Sequence, residues 1–113
     1  MIEEYKIYTG TTAPAVVSEK VRGRRKKFIP YNVTENNGVY TWEYIEMNAS
    51  DYTYGDLINI LIGRKYNLRE TLAVLSNYMA EPKNPKYKAE FEAFQKCRKE
   101  AKEFAKSIFT KEE

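Results

Sequence analysis

The sequence predicts an α+β fold in which a small antiparallel N-terminal sheet with a hairpin is followed by two short helices and one long C-terminal helix. Residues 26–47 are rich in β-formers and contain Asn37-Gly38, a dipeptide typical of tight hairpin turns. Helix-capping side chains then recur at Thr53, Asn67 and Asn84. We therefore expect 113 residues in a single domain, β-rich over 1–50 and helical over 53–110.

The N-terminal segments alternate in the manner of strands. Ile2 to Tyr8 predicts a first strand that ends at Thr9-Gly10-Thr11, whereas 14–21 fits either a strand or one helical turn. Residues 26–33 and 39–47 predict the two strands of a hairpin. Pro30 lacks a backbone donor, so we expect it at a sheet edge or a bulge.

One face of the second hairpin strand is aromatic. Tyr40, Trp42 and Tyr44 alternate with smaller or charged residues and therefore point to the same side of the sheet. Rings of this kind can stack on bases or sugars, but they more often pack in a core, here beneath the helices. We favour core packing.

Two helix starts follow in close succession. Thr53 stands three residues before Asp56, and Asn67 three before Glu70, which is the spacing of side chains that cap the first helical turn. The residues after each cap are apolar at helical spacing, which predicts two helices that share one buried seam. These residues are Leu57, Ile58, Ile60, Leu61, Leu68, Leu72, Val74, Leu75 and Met79.

A long helix is predicted from Pro85 to about Thr110. Asn84 supplies its cap, Pro85 suits its first turn, and no breaker follows. An apolar row along this helix either docks on the parent domain or contacts a second protein. The candidates for such a protein interface are Tyr87, Phe91, Phe94, Phe104, Ile108 and Phe109.

A dense run of positive charge precedes the hairpin. Six of the eight residues from 20 to 27 are basic, and Glu19 is the acidic residue beside them. Such a run can bind phosphates by releasing counterions, and Gly23 would let backbone amides approach an anion. It can equally be a solvated edge that resists aggregation. The nucleic-acid-binding candidates are Lys20, Arg22, Arg24, Arg25, Lys26 and Lys27.

Enzymatic chemistry has little support in the sequence. The chain has no histidine and a single cysteine, which removes the commonest general base and any cysteine-rich zinc site. Cys97 has no base beside it in sequence and is interpreted as a small packing residue. We therefore expect a non-enzyme with no catalytic residue, no metal site, no cofactor and no small-molecule substrate.

The apolar runs, the first residues and the cysteine count predict where in the cell the protein is located. No apolar run approaches the roughly 20 residues that cross a bilayer, and the first residues lack the pattern of a secretory signal. A lone cysteine cannot form an internal disulfide. We expect a protein without membrane contact, located in a reducing cytoplasm or in a virion.

One stretch of the chain resembles a known group of proteins. The motif Trp42-Glu43-Tyr44 is followed by the Tyr54-Gly55 helix opening, the Arg64-Lys65-Tyr66 break and the Asn77-Tyr78 ending, and the pattern extends into Glu90–Lys102. Over about residues 39–105 this resembles a segment of small bacteriophage and prophage proteins from the tail or baseplate region. The resemblance implies a phage-derived gene whose product is located in the cytoplasm of a bacterial host or in a virion, and it assigns no activity and no binding residues.

The hypothesis that fits these features is a non-enzymatic, phage-related structural, assembly or adaptor protein that acts through protein contacts or self-association. Ten tyrosines and the long amphipathic helix favour it, since tyrosine suits surfaces that are half wet and half buried. The alternative is a nucleic-acid-binding accessory protein that uses residues 20–27.

Overall fold

The computed structural model of the chain describes residues 2–111 and confirms the α+β class. Four strands come first and three helices follow, with a short 3-10 helix between them. The strands are β1 (Tyr8–Gly10), β2 (Val17–Val21), β3 (Arg24–Asn36) and β4 (Val39–Asn48), the 3-10 helix is Ala49–Asp51, and the helices are α1 (Tyr54–Lys65), α2 (Leu68–Ala80) and α3 (Pro85–Lys111).

The four strands form one antiparallel sheet in the order β1-β4-β3-β2. The β3–β4 hairpin turns at Asn37 and Gly38, which have φ angles of 53° and 82°. Positive φ at both central residues is what a two-residue hairpin turn of this hand requires, and Asn and Gly tolerate it best. The predicted hairpin is confirmed.

A second hairpin joins β2 to β3 through Arg22 and Gly23, whose φ angles of 52° and 80° nearly repeat those of the first. Residues 17–21 are therefore a strand, which decides between the two interpretations left open for 14–21. Arginine is an unusual residue at positive φ, so the dipeptide gives a weak turn signal. Gly23 supplies one of the two positive φ angles that this turn requires.

The first strand was predicted too early and too long. Tyr5 has a φ of 65°, which breaks the extended backbone expected over 2–8, and β1 begins only at Tyr8. The segment before it is held by side chains: a Glu4 carboxylate oxygen accepts from the Glu46 amide at 3.0 Å, and the Glu3 amide donates to the Tyr8 hydroxyl at 3.0 Å.

Pro30 lies where β3 has a partner on one side. β2 pairs with β3 no further than Phe28, so Pro30 is paired with β4 alone. An irregularity between Tyr31 and Thr34 follows directly, and Asn32 within it has a φ of 54°. Both features agree with the expected edge or bulge, since proline removes one ladder hydrogen bond.

The aromatic face of β4 packs on itself and on neighbouring strands. Tyr44 is 7% exposed, and its ring meets those of Tyr8, Phe28 and Trp42 edge to face at centroid distances of 5.2, 6.2 and 6.2 Å. The opposite face of the same strands is also buried at Ile29 and Ile45. Tyr44 is therefore a packing group, while Tyr40 and Trp42 are half-buried. The expected packing of this face beneath the helices stays a prediction.

The helix starts lie where the capping pattern places them. The Thr53 hydroxyl accepts from the Asp56 amide at 3.2 Å. Asn67 and Glu70 exchange two bonds, at 2.7 and 3.2 Å, and form a complete capping box. Asn84 accepts from the amides of residues 86 and 87 at 3.0 and 3.3 Å.

The long helix α3 contacts both shorter helices. Tyr66, just after α1, meets Phe94 edge to face at 5.1 Å, while Tyr54 at its start lies beside the Lys102 carbonyl. These two contacts show that α1 runs antiparallel to α3. Leu57, Ile58 and Leu61 of α1 are buried, as are Phe94, Cys97, Ala101, Ala105 and Ile108 of α3.

Contacts within the chain fall into two compact units, the sheet unit up to Tyr52 and the helical unit from Thr53. Each unit has its own buried side chains, such as Phe28, Ile29 and Ile45 in the first and Leu57 and Ala105 in the second. That the two units make one domain, with the helices over the sheet, stays a prediction.

Candidate functional site

The most distinctive surface of the helical unit is an apolar row on α2. Leu68, Leu72, Leu75 and Met79 follow one another at spacings of four, three and four residues, which places them within about 60° of one another around the helix. Leu68 is 75% exposed, Leu72 54% and Met79 80%, and Leu75 is half-buried. We call these four residues the α2 row.

The exposure of the α2 row corrects the expectation of a seam buried between two helices. The apolar spacing in α1 does mark a buried face, but no residue of α2 is buried. α2 meets α3 through a different side, where the rings of Tyr78 and Phe91 stack at 4.1 Å and 5°. The periodicity located the apolar stripe correctly and misjudged what covers it.

The surface around the α2 row is also poor in charge. Within Leu68–Ala80 the charged residues are Arg69 and Glu70, both in the first turn. Past that turn the exposed positions beside the row are Ala73, Ser76 and Ala80. Exposed leucine and methionine with little charge around them are typical of surfaces that bind another protein.

The aromatic row predicted as an interface on α3 is largely turned inward. Phe94 is 5% and Ile108 8% exposed, so neither has much surface left for a partner. Tyr87, Phe91, Phe104 and Phe109 are half-buried. Whether these six residues contact another protein stays a prediction, and Leu68, Leu72 and Met79 of the α2 row each expose a larger fraction of their surface.

The basic segment 20–27 forms most of the β2–β3 hairpin, and strand alternation divides its charges. Register pairs Lys20 with Arg25, so these two point to one face together with Lys27. Arg24 and Lys26 point to the other face, and Arg22 occupies the turn. The alternation therefore divides the six candidates between the two faces and the turn of one hairpin.

The two faces of the basic hairpin differ in how far their positive charges are balanced by neighbouring groups. On the Lys26 side, Glu19 stands directly opposite the lysine, and the ammonium also donates to the Asn48 side-chain oxygen. On the other side two cations, Lys20 and Arg25, stand directly opposite each other, which is unfavourable without a counter-ion. Next to them, Lys27 lies 5.1 Å above the Tyr52 ring. We call Lys20, Arg25 and Lys27 the cationic face.

Two depressions adjoin this hairpin. The larger has a volume of about 480 Å³ and is lined by Arg24, Arg25, Asn48, Ala49 and Ser50. The smaller, of about 140 Å³, is lined by Ser18, Glu19, Arg25, Lys26, Lys27 and Ala49. Arginine, amide and hydroxyl groups around one hollow are suitable donors for a phosphate oxygen.

Metal-ligating side chains do not cluster in the described part of the chain. Over residues 2–111 no three His, Cys, Asp or Glu side chains lie close enough to hold a metal ion. Cys97 is buried on α3. Within the same residues no helix combines the length and apolarity that a membrane span needs.

Comparison of the chain with protein-family models, with curated proteins and with solved structures gives no match. The functional proposals below therefore rest on the residues and surfaces of this chain.

Sequence reasoning did not single out the α2 row as a surface. A signal was present, since α2 has two charged residues and α3 alternates its apolar row with many lysines and glutamates. A helix whose outer face is also uncharged is a candidate for contact with another protein.

Proposed function

We propose that this chain is a non-enzymatic structural, assembly or adaptor protein that acts through protein contacts, and that the α2 row is its contact surface. The resemblance of residues 39–105 to small bacteriophage proteins supports a phage-related setting for that role. The proposal does not depend on the α3 aromatic row.

The exposure of the α2 row is the observation that carries the proposal. Leaving two leucines and a methionine largely in water forgoes a burial free energy of about 1.5–3 kcal/mol for each fully covered side chain. A partner that covers the row recovers this energy. The capping box at Asn67 and Glu70 fixes the start of the helix, so the row is presented on a formed helix.

Site-specific photo-crosslinking tests the proposal. A benzophenone amino acid replaces Leu72 in one variant and Ala73, one position away and off the row, in the matched control. In cells that produce the chain, we expect the residue-72 variant to give one discrete protein adduct that the residue-73 variant lacks. Equal labelling by both variants would contradict the proposal.

A second candidate function, nucleic-acid binding, is favoured by one specific feature. The cross-strand pair Lys20 and Arg25 places two like charges side by side, with Lys27 two register positions along on the same face. A phosphate backbone would relieve this repulsion by entering the cationic face. The cationic face is small, and its three cations can contact only a few phosphates.

Salt-titrated binding to a single-stranded oligonucleotide tests this second candidate. Neutralising the cationic face in Lys20→Gln/Arg25→Gln/Lys27→Gln should reduce the slope of log K against log salt by about 2, on the basis of about 0.7 per phosphate contact for single strands. Lys86→Gln/Lys88→Gln/Lys96→Gln removes the same number of charges from exposed positions on α3 and serves as control. Equal effects of both variants, or no binding by the wild type, would contradict a defined nucleic-acid surface.

A further inference from the structure

We propose that the partner of the α2 row is a second copy of this chain, and that the two α2 helices pair antiparallel about a two-fold axis between Leu72 and Leu75. This inference rests on the proposed function, because it names the occupant of the same surface.

The spacing of the α2 row is self-complementary. Spacings of four, three and four residues read the same in both directions, so two antiparallel copies meet residue for residue. Leu72 of one copy then faces Leu75 of the other, and Leu68 faces Met79. A two-fold interface demands this property, since the same patch must fit itself.

The charges of α2 also suit an antiparallel pair. Arg69 lies in the first turn of its own helix, where the positive end of the helix dipole makes a cation unfavourable. In the antiparallel pair this arginine approaches the last turn of the other copy, where the dipole is negative. A parallel pair would place the two Arg69 side chains together.

The size of the row sets the expected strength. A 13-residue helix is about 20 Å long, so its exposed stripe is smaller than the roughly 800 Å² per partner of a standard interface. We therefore expect a weak, concentration-dependent dimer, with a dissociation constant on the order of 10–100 μM.

Sedimentation of the full chain from about 5 μM to about 1 mM, a range that brackets this dissociation constant, tests the pairing. The wild type should shift from monomer to dimer. Leu68→Glu and Met79→Lys each alter a side chain that is at least 75% exposed, so the fold should persist, and each charge suits the helix end where it stands. Each variant should weaken dimerisation by about 10-fold or more, because a charge then faces an apolar side chain.

Mixing the two variants tests the orientation. In an antiparallel heterodimer Glu at 68 of one chain faces Lys at 79 of the other, while the second end of the interface keeps its native Leu68 and Met79 contact. The mixture should therefore recover dimer that neither variant forms alone. Ala73→Glu adds a charge to α2 off the row and should dimerise like the wild type.

Three results would overturn this inference. These are a wild type that stays monomeric throughout the concentration range, a mixture that recovers no dimer, and an Ala73→Glu variant as weak as the other two. A monomeric wild type together with a residue-72 adduct of a different protein would reject self-association and leave the proposed function standing. A dimer with no preference for the α2 row would count against both.

Discussion

At the scale of single residues, the sheet depends on close contacts that composition does not reveal. Gly10 stands opposite Tyr40 in the register, and the indole of Trp42 lies over it. A Cβ at this position would come within 3.2 Å of Trp42 Cη2. Any side chain at this position therefore requires the tryptophan ring to shift by a few tenths of an ångström.

Replacing Gly10 with valine should destabilise the protein by about 1–3 kcal/mol, since the added methyl groups overpack this contact. Urea denaturation followed by Trp42 fluorescence measures the change. Gly63→Ala is the matched control, because nothing lies within 4 Å of its Cβ position in helix α1. That variant should gain about 0.5–1 kcal/mol. An unchanged midpoint for Gly10→Val would contradict the packing.

The two hairpin turns offer a second test at this scale. Arg22 and Asn37 have φ angles of 52° and 53°, but asparagine tolerates this region much better than arginine. Arg22→Asn should therefore raise the free energy of unfolding by up to about 1 kcal/mol. The reverse exchange, Asn37→Arg, should lower it by a similar amount. In thermal denaturation the two variants should change the free energy of unfolding in opposite directions. A lower free energy of unfolding for Arg22→Asn would contradict this expectation and show that contacts of the arginine side chain outweigh the backbone strain.

At the scale of elements, local signals determined what the sequence could predict. Helix caps and tight turns depend on residues within four positions of each other, so they can be predicted without tertiary information. This applies to the caps Thr53, Asn67 and Asn84 and to the turn Asn37-Gly38. The β2–β3 hairpin was missed because Arg22 is an atypical turn residue. β1 was placed too early because nothing in the local pattern announces the positive φ of Tyr5.

Loss of the capping box in α2 should weaken the element that presents the row. Asn67→Ala removes the acceptor of the Glu70 amide and should cost about 1 kcal/mol of stability, while Asn67→Ser should cost much less. Hydrogen exchange of the α2 amides reports the effect directly. Faster exchange confined to α2 in the alanine variant is expected, and identical exchange in both variants would contradict a stabilising cap.

The same local reasoning explains why the surfaces were harder to predict than the fold. Apolar periodicity identifies a stripe on a helix, but it does not say what covers that stripe. On α1 and α3 the stripe is buried at Leu57, Leu61 and Phe94, whereas on α2 it lies in water. The sequence identified the cluster of basic residues at 20–27. Only the strand register showed that Lys20 and Arg25 share one face of the hairpin and that Arg24 and Lys26 lie on the other.

At the scale of the whole molecule, the chain consists of two small units, each with its own buried side chains. Units of this size bury only a modest fraction of their surface. Covering the α2 row by association would therefore add a sizeable amount to the apolar surface that the chain buries. The described residues present two surfaces of opposite character, the apolar α2 row and the cationic face of the β2–β3 hairpin. Our account assigns the principal contact to the first.

A concentration series of ¹⁵N–¹H correlation spectra tests this assignment most directly, because it reports every backbone amide of the intact chain at once. As the concentration rises through the dimerisation range, the amides of 68–80 should shift together along one binding curve, while those of the β2–β3 hairpin stay in place. Shifts that spare α2, or that concentrate on residues 20–27, would contradict the account.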